Sequence, residues 1–480
     1  MPKTLWFDVE DLFEYITHNR RPSGIQRLAF ELYRVLQERH GADGRVRFVR
    51  LDPMRKNFVS VPWKSIADLF SQLSDDAGSS SGAGGRTSTS HLRRGPTLRG
   101  HLRRLVHRLP FEMRYRLLDA TRLQIDALFA FGDLGAFLAR SAMRRTSRTG
   151  RAIASGGDAL TNVHAANDEF VRTVKAGDTL LAFGAPWSYA DHADLIETAR
   201  ARFGIKFGFL VYDIIALRRP EWFEKGLVQR FREWFVSILP LADFVFAISK
   251  YTADDVTRFA RQYSIPLRNP VQMIPIGNGF GPSAPGLPAP YDDLPPPGSY
   301  VLFVSTIEAR KNHMLLFRIW RQLLEELPAS AVPTLVFAGR VGWLVADLRQ
   351  QLENTDYLDH KIIVMSDLSD ARLGQLYRGC LFTVFPSHYE GWGLPVSESL
   401  AFGKPCLASN KSAIPEAGGK FCRYFDPDDL NAAYRLVRDT VKDRDGLAAW
   451  EAEIRREFKP TSWEEGAQAI LHGVGMDSGG

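Results

Sequence analysis

Short, unbroken runs of apolar and β-branched residues recur along the chain, and helix-compatible sequence follows each of them. Unbroken runs of this kind are typical of strands buried on both faces of a parallel sheet. The first half contains TLWFDV, VRFVRLD, TLLAFG, IKFGFLVYD, DFVFAIS and VQMIPIG, and the second contains YVLFVST, TLVFAG, KIIVMSD, LFTVFPS and KPCLAS. The alternation predicts an α/β protein with parallel sheets covered by helices.

A proline-rich segment separates the two sets of strands. Residues 281–299 contain seven prolines in nineteen positions, which excludes a helix or a central strand. We therefore predict two Rossmann-like domains facing each other across a cleft, at 1–285 and 286–455, and a C-terminal helix in 456–480 that packs back on the N-terminal domain. Ligands of open α/β sheets bind at the carboxyl ends of strands, so the substrate should lie in the cleft.

Length and composition agree with this architecture. A chain of 480 residues is too long for one core, and a hydrophobic content of 45% is ordinary for a soluble protein. We expect neither a secretory signal nor a membrane-spanning stretch, and we predict a cytoplasmic protein. Cys380, Cys406 and Cys422 lie in or beside apolar runs and match no metal-site spacing, so we interpret them as reduced packing residues. His192 is interpreted as an isolated, structural histidine.

The positive charge is concentrated in one segment. Residues 91–151 contain fourteen Arg, no Lys and four acidic residues, a balance of +10, whereas the whole chain carries +6. They belong to an insert at about 71–160 that begins with a low-complexity Ser/Gly stretch and continues with an apolar helical face. This pattern favours an anionic membrane surface, and a packed helical insert with solvated arginines is the alternative. We expect no nucleic-acid partner, because Tyr115 is the only aromatic residue clearly placed among the arginines.

The stretch EGWGLPVSE connects a predicted strand to a predicted helix that begins near Pro395. Gly391 and Gly393 leave the backbone N–H groups at the helix start accessible to an anion such as phosphate. Glu390 and Glu398 can both face the bound group, and carboxylates accept hydrogen bonds from sugar and ribose hydroxyls. For either glutamate alone, a solvated or helix-dipole role is an equal alternative, but the joint pattern favours a ligand site.

Further candidate residues follow other predicted strands. Arg310 and Lys311, in VSTIEARKNH, are placed to neutralise a diphosphate, which together with the two glutamates gives the polarity of a nucleotide-sugar site. Asp213 ends a strand and is either a cleft residue or a helix cap. Trp187 also ends a strand, where its ring either stacks on a sugar or packs in the core.

These motifs resemble those of the retaining, GT-B fold glycosyltransferases of family four. The resemblance rests on EGWGLPVSE, STIEARKNH, AGRVGWL and LSDARLGQLYRGC, and on PSGIQRLAFEL near the N-terminus. It covers nearly the whole C-terminal domain and scattered N-terminal pieces. It implies a GT-B fold, in which the basic segment would be a helical insert in the N-terminal domain. It also implies transfer of a hexose from a nucleoside-diphosphate sugar with retention of configuration, without a metal or cofactor.

The resemblance also implies roles for individual residues. Lys311 and Arg310 would bind the donor diphosphate and stabilise the leaving group, Glu390 would hold sugar hydroxyls, and Glu398 would hold the ribose. Asp213 would lie at the catalytic centre or on the acceptor side, beside Trp187. Further donor contacts are implied for Gly24, Thr306, Gly391, Trp392, Gly393 and Leu394.

Two positions leave alternatives open. Many family members have an arginine where this chain has Thr306, so Arg310 would have to replace that phosphate contact. The family places a glycine loop such as Ser23–Gly24 against the reacting centre, whereas from the sequence alone Ser23 is equally a helix N-cap. The form TIEARKN resembles the subgroup that often uses GDP-mannose or related donors.

Three functional hypotheses follow. The favoured one is a glycosyltransferase that acts on a glycan or lipid-linked acceptor in polysaccharide biosynthesis, in the cytoplasm or peripherally on the inner membrane face. The second is a non-catalytic GT-B protein that binds anionic membrane or a partner through its basic insert. An NAD-dependent enzyme is disfavoured, because no G-x-G-x-x-G follows the first strand of either half.

Overall fold

A computed structural model describes residues 3–18, 22–52, 57–75, 169–189, 191–277, 291 and 293–476. The described residues belong to one compact unit that contains two β-sheets. The basic segment 91–151 and most of the proline-rich segment 281–299 lie outside the described residues. No helix in the described part of the chain is long and apolar enough to cross a membrane.

The N-terminal sheet has seven strands in the order β3-β2-β1-β4-β5-β6-β7. Its strands are β1 Leu5–Asp8, β2 Val46–Asp52, β3 Asn57–Val61, β4 Thr179–Ala182, β5 Lys206–Val211, β6 Phe244–Ala247 and β7 Gln272–Met273. All neighbours pair in parallel except β2 and β3. That antiparallel pair corrects the expectation of purely parallel pairing. The connection from Asp52 to Asn57 is too short for the crossover that a parallel pair requires.

The C-terminal sheet has six strands in the order β10-β9-β8-β11-β12-β13. Its strands are β8 Tyr300–Val304, β9 Thr334–Ala338, β10 Ile362–Met365, β11 Thr383–Phe385, β12 Cys406–Ser409 and β13 Cys422–Phe425. Every neighbouring pair is parallel. Strand β13 was not predicted, because its polar Arg423 interrupts the apolar run that marks the other strands.

Helices connect the strands and cover both sheets. The N-terminal helices are α1 Glu10–His18, α2 Gly24–His40, α3 Trp63–Asp75, α4 Glu169–Thr173, α5 His192–Phe203, α6 Ile215–Arg218, α7 Lys225–Ile238 and α8 Lys250–Gln262. The remaining helices are α9 His313–Glu326, α10 Ala346–Asn354, α11 Asp370–Gly379, α12 Leu394–Ala401, α13 Ile414–Gly418, α14 Leu430–Lys442, α15 Arg444–Glu457 and α16 Trp463–Gly473. Asp356–His360 forms a separate turn whose residues have positive φ.

Each sheet has its own hydrophobic core. Trp320 and Phe337 are fully buried in the C-terminal core, and Phe7 and Phe207 are fully buried in the two clusters on the N-terminal sheet. Helix α16 packs against α2 and contributes to an N-terminal cluster. Because parallel strands end at the same edge of a sheet, the residues that follow β4, β5, β8 and β11 can meet at the boundary between the two sheets.

Candidate active site

Two cations and one carboxylate form the centre of the candidate site. Arg310 and Lys311 lie in a short turn of 3₁₀ helix after β8. Lys311 Nζ lies 2.6 Å from Glu390 Oε1, and Arg310 Nη1 lies 2.8 Å from Glu390 Oε2. Burial opposes ionisation of Glu390, but the two cations prevail and lower its pKa to about 2. Burial, aided by the charge of Arg310, lowers the pKa of Lys311.

Arg310 is held more firmly than Lys311. Its Nη2 lies 2.8 Å from Glu308, which is only 4% exposed, and its Nη1 also donates to the backbone oxygen of Tyr389. Among the described residues, Lys311 has one side-chain carboxylate partner, and an ammonium group offers three donors, so it retains capacity for an anionic ligand. Glu308 was not predicted as a site residue, because nothing in the local sequence indicates that its carboxylate pairs with Arg310 two residues later.

A sharp turn after β11 carries the glycine residues into helix α12. Gly393 has a φ of +117°, a conformation that L side chains rarely adopt, and α12 begins directly after it. A Cβ atom on Gly391 would lie 2.0 Å from the backbone oxygen of Tyr212, so only glycine fits there. Trp392 packs against the cores of both domains, and Leu394 packs against the N-terminal core. The turn therefore lies where the two domains meet.

Glu398 lies in α12 and is buried, at 7% exposure. The Tyr377 hydroxyl donates a hydrogen bond of 2.8 Å to its Oε2. Burial raises the pKa of Glu398 to about 7, although Tyr377 and Arg27 act in the opposite direction. The two glutamates of the sequence motif thus have opposite electrostatic surroundings, because Glu390 is paired with cations and Glu398 is not.

Asp213 and Trp187 lie on the N-terminal side of the boundary. Asp213 Oδ1 accepts a 2.9 Å hydrogen bond from the backbone N–H of Ile215, a contact typical of a helix cap. Burial raises the pKa of Asp213, and the charge of Arg310 opposes the shift. A Cβ atom added to Gly391 would lie 3.0 Å from the Asp213 Cβ, so Asp213 also adjoins the glycine turn.

Asp213 and Trp187 line a cavity of about 160 Å³ beside the glycine turn. Trp187 packs edge-on against Phe231 and Trp234, with ring centroids 5.3 and 5.8 Å apart. The remaining lining is largely aromatic and aliphatic, and Asp213 is its charged member. An apolar wall with one carboxylate can bind a group that has both an apolar face and a hydroxyl.

The Ser23–Gly24 segment also reaches the boundary between the domains. The Ser23 side chain accepts from the Ile25 N–H and caps α2. A Cβ on Gly24 would lie 3.6 Å from Leu394 Cδ1, an ordinary contact, so the fold itself does not require glycine there. Arg27, one turn further along α2, makes hydrogen bonds of 2.6 and 2.7 Å to Asp370 of the C-terminal domain.

Thr306 follows β8, where its side chain lies next to Gly342. A Cβ on Gly342 would lie 2.9 Å from Thr306 Cγ2. Within the described residues, no three His, Cys, Asp or Glu side chains are grouped so that they could hold a metal ion.

Sequence reasoning missed a buried polar cluster at the carboxyl end of β1. His192 Nε2 lies 3.5 Å from Asp8 Oδ2, and the Trp234 indole donates a 3.2 Å hydrogen bond to His192 Nδ1. Gln26 donates to Asp11, and burial raises the pKa of Asp11 to about 6. His192 is therefore not isolated. Its partners are distant in sequence, so no local pattern could have revealed them.

The C-terminal domain and the whole chain each match known proteins. Residues 293–457, which include Lys311, Glu390 and Glu398, match the family model described as glycosyl transferases group 1. A solved structure of Anabaena HepE in complex with UDP and glucose aligns over 98% of this chain and 99% of its own, with a TM-score of 0.52 and 13% identity. This chain has the GT-B fold. The predicted pair of Rossmann-like domains is thereby confirmed.

Curated sequence relatives include bacterial mannosyltransferases. The serotype-specific mannosyltransferase WbdA of Escherichia coli is 28% identical over 276 residues, which cover 55% of this chain and 33% of WbdA. The O-antigen chain mannosyltransferase B of Escherichia coli is 28% identical over 233 residues, which cover 47% of this chain and 57% of the relative. This chain thus resembles bacterial GT-B mannosyltransferases, but the first match spans only a third of the WbdA chain.

Proposed function

We propose that this protein is a retaining, metal-independent glycosyltransferase that moves a hexose from a nucleoside-diphosphate sugar to a glycan or lipid-linked acceptor in polysaccharide biosynthesis. The observation that carries the proposal is the cluster of Lys311, Arg310 and Glu390, whose carboxylate lies four residues before the start of α12. Two cations and a carboxylate close to a helix start suit a diphosphate bonded to a sugar.

The chemistry follows from the charges. Departure of the diphosphate builds negative charge on its bridging oxygen, and Lys311 would stabilise that charge with N–H donors that Glu390 leaves available. Arg310 would add a fixed positive charge, because Glu308 and the Tyr389 carbonyl hold its guanidinium in place. Since these cations and the helix start supply the charge, the proposed leaving-group stabilisation needs no divalent metal. The departing phosphate oxygen would take the acceptor proton on the same face of the sugar, which retains the configuration.

The donor is proposed to bind with its sugar at Glu390 and its ribose at Glu398. The names of the bacterial relatives favour a mannosyl donor, so GDP-mannose is our first candidate. HepE was solved with UDP and glucose, so a UDP-hexose is the principal competitor. Gly24, Thr306, Gly391, Trp392, Gly393 and Leu394 are proposed to complete the donor site.

The acceptor is proposed to bind on the N-terminal side of the boundary. Asp213 adjoins both the glycine turn and the aromatic cavity, so its carboxylate is placed to accept a hydrogen bond from an acceptor hydroxyl. Trp187 offers an aromatic face in the wall of the same cavity.

A screen of nucleotide-sugars followed by a transfer assay tests the proposal. Thermal-shift measurements with GDP-mannose, UDP-glucose and related donors should show stabilisation by one of them, because a ligand that binds the folded state stabilises it by mass action. Incubation of that donor with a short glycan or lipid-linked acceptor should give a product with the donor's anomeric configuration. The product should also form when a chelator is present. An inverted product, or transfer that requires a divalent metal, would contradict the mechanism.

The competing hypothesis is a GT-B protein without catalytic activity. The presence of Lys311, Glu390 and Glu398 argues against it, because a pure binding protein has no need for an ammonium group placed to support a leaving group. Tight donor binding with neither transfer nor donor hydrolysis would favour this hypothesis.

We also propose that the basic segment 91–151 attaches the protein to the inner face of an anionic membrane. Its balance of +10 supports adsorption, since each basic side chain near an anionic bilayer contributes about 1 kcal/mol. Sedimentation with anionic vesicles should recover the wild type at low salt and release it at high salt, whereas neutral vesicles should not bind it. A variant with Arg103, Arg104 and Arg108 changed to Gln should bind less. Equal, negligible binding by both proteins would favour a packed insert.

A further inference from the structure

Helix α8 of the N-terminal domain contacts the short segment around Glu390, which we call the Glu390 loop (Tyr389–Gly391). The Tyr389 hydroxyl donates a hydrogen bond to the Asp255 carboxylate. The Thr252 hydroxyl donates to the backbone oxygen of Gly391 over 3.3 Å. Asp255 and Thr252 are each 2% exposed, so water competes little for these bonds. Helix α8 therefore binds the loop on both sides of Glu390.

Asp255 is itself held in place by two arginines of its own domain. Its Oδ1 lies 2.6 Å from Arg258 Nη2 and 3.6 Å from Arg218 Nε. The two positive charges compensate a buried carboxylate that would otherwise be costly. Asp255 is thus a fixed acceptor for the Tyr389 hydroxyl, not a side chain that follows the loop wherever it moves.

The C-terminal domain holds the Glu390 loop from the other direction. Arg310 donates to the Tyr389 backbone oxygen, and the Glu390 N–H donates a 2.8 Å hydrogen bond to Ser412 Oγ. Gly391 meanwhile approaches the Tyr212 backbone so closely that no side chain fits between them. The position of the Glu390 carboxylate is therefore set by both domains together.

A third contact attaches the first turn of α8 to the C-terminal domain. The Glu416 carboxylate, in α13, accepts hydrogen bonds from the backbone N–H groups of Lys250 and Tyr251 at 2.7 and 2.8 Å. First-turn N–H groups have no partner within their own helix, and the helix dipole favours a negative charge there. Glu416 thus caps a helix of the opposite domain and keeps it beside the Glu390 loop.

We propose that Asp255 and Thr252 are positioning residues that orient Glu390 through its loop, so that the Glu390–Lys311 cluster is correctly arranged only while Glu416 holds α8 against the C-terminal domain. Asp255 holds the Tyr389 hydroxyl and Thr252 holds the Gly391 backbone, and neither residue is proposed to contact the reacting atoms. The inference rests on the proposed function for the role of Glu390, but the coupling between α8 and the loop is independent of that role.

Kinetics of two conservative variants test the positioning role. Tyr389→Phe and Thr252→Val each remove one hydroxyl and keep the side-chain shape. A small displacement of a catalytic group can lower turnover by about a hundredfold, so we expect kcat to fall by about tenfold to a hundredfold. The Kd for the free nucleoside diphosphate should change by less than about twofold, because Lys311 and Glu398 are unaltered, whereas the donor KM should rise, because Glu390 is proposed to hold the sugar hydroxyls.

Thr257→Val and Tyr263→Phe are the matched controls. Thr257 lies on the same helix and donates to the Ala253 carbonyl, and Tyr263 is exposed next to the helix end. Both controls should keep the wild-type kcat. The proposal is wrong if Tyr389→Phe and Thr252→Val keep full turnover, or if their nucleotide affinity and unfolding temperature fall together with kcat.

Hydrogen exchange tests the coupling without any transfer reaction. Glu416→Ala should increase exchange at the Lys250 and Tyr251 amides and also at the Glu390 loop. Exchange is measured with UDP and with GDP added as the nucleotide ligands. Tyr389→Phe should increase exchange at the loop alone. If Glu416→Ala exposes α8 and leaves the loop protected, the coupling does not exist. If the wild type transfers no sugar from any donor, the proposed function fails, and the exchange result still decides the coupling.

Discussion

The electrostatic balance around Lys311 depends on one shared carboxylate. Glu390 accepts from both Lys311 and Arg310, and Glu308 provides a second negative charge for Arg310. Glu308 and Glu390 are buried, the side chains of Arg310 and Lys311 are 14% and 13% exposed, and the four formal charges sum to zero, which lowers the cost of removing them from water. Removing Lys311 would leave one cation for two carboxylates, but Glu390 would keep its 2.8 Å contact with Arg310, so we expect the fold to tolerate the change.

Lys311→Ala should lower turnover by about a hundredfold or more, by analogy with the loss of one preorganised donor to a developing negative charge. The far-UV circular dichroism of the variant should match that of the wild type. Lys420→Ala is the matched control, because Lys420 is exposed in the same domain and pairs with Glu457 at 2.8 Å. Wild-type turnover in Lys311→Ala would exclude a role in leaving-group stabilisation.

The two glutamates should differ in what they bind. Glu398→Gln should weaken binding of the sugar donor and of the free nucleoside diphosphate alike, because both ligands contain the ribose. Glu390→Gln should mainly weaken the intact sugar donor, whose hydroxyls it is proposed to hold. Calorimetry with both ligands measures the difference. Equal losses for the two ligands in Glu390→Gln would show that the carboxylates are wrongly assigned.

The raised pKa of Glu398 gives a pH dependence with a definite sign. Its pKa moves from 4.5 to about 7 on burial, so the folded state binds the proton more tightly than the unfolded state. Each pKa unit is worth about 1.4 kcal/mol, so the wild type should lose about 3 kcal/mol of stability relative to Glu398→Gln as the pH rises through this window. Nucleotide affinity should change in the opposite direction, rising relative to the variant between about pH 6 and pH 8, because only the carboxylate accepts two hydroxyl bonds. Parallel profiles for the two proteins would contradict the titration of Glu398.

At the scale of elements, close backbone approach explains why glycine is needed at one position and not at another. Gly391→Ala places a Cβ 2.0 Å from the Tyr212 oxygen, so the variant should unfold at a lower temperature and lose transfer activity. Gly24→Ala meets only Leu394 at 3.6 Å, so its unfolding temperature should not change. If a ligand approaches the Gly24 backbone, Gly24→Ala should lose transfer activity without a change in its unfolding temperature. Differential scanning calorimetry and the transfer assay separate the two effects.

Local patterns predicted the elements that local forces determine. The run LFTVFPS and Pro395 predicted β11 and the start of α12, which the structure places at Thr383–Phe385 and Leu394–Ala401. The antiparallel β3 was missed, because its pairing depends on the short connection to β2 and its alternating pattern is weak. Contacts between distant segments were also beyond local patterns. Arg27 and Asp370, for example, are 343 positions apart, and neither side chain indicates the other.

At the scale of the whole molecule, the chain returns to the N-terminal domain after it has completed the C-terminal one. Trp450 and Ile454 of α15 pack in the C-terminal core, whereas Ile470 and Leu471 of α16 are fully buried in an N-terminal cluster. The Trp463 ring also packs against Gly277, where an added Cβ would lie 2.4 Å from it. The final helix is therefore part of the N-terminal core and should stabilise that domain specifically.

Ile470→Ala should destabilise the N-terminal domain by about 2–5 kcal/mol, the usual cost of removing a large aliphatic side chain from a packed core. Gln468→Ala is the control on the same helix, because Gln468 accepts a 3.2 Å hydrogen bond from the exposed Arg39, and its loss should cost less than about 1 kcal/mol. Hydrogen exchange resolved by peptide should show faster exchange in the N-terminal sheet of Ile470→Ala and unchanged exchange in the C-terminal sheet. Nucleotide affinity should also stay unchanged, because Lys311 and Glu398 lie in the C-terminal domain. Faster exchange in both sheets would mean that the domains unfold as one cooperative unit, and α16 would then stabilise the whole molecule and not the N-terminal domain alone.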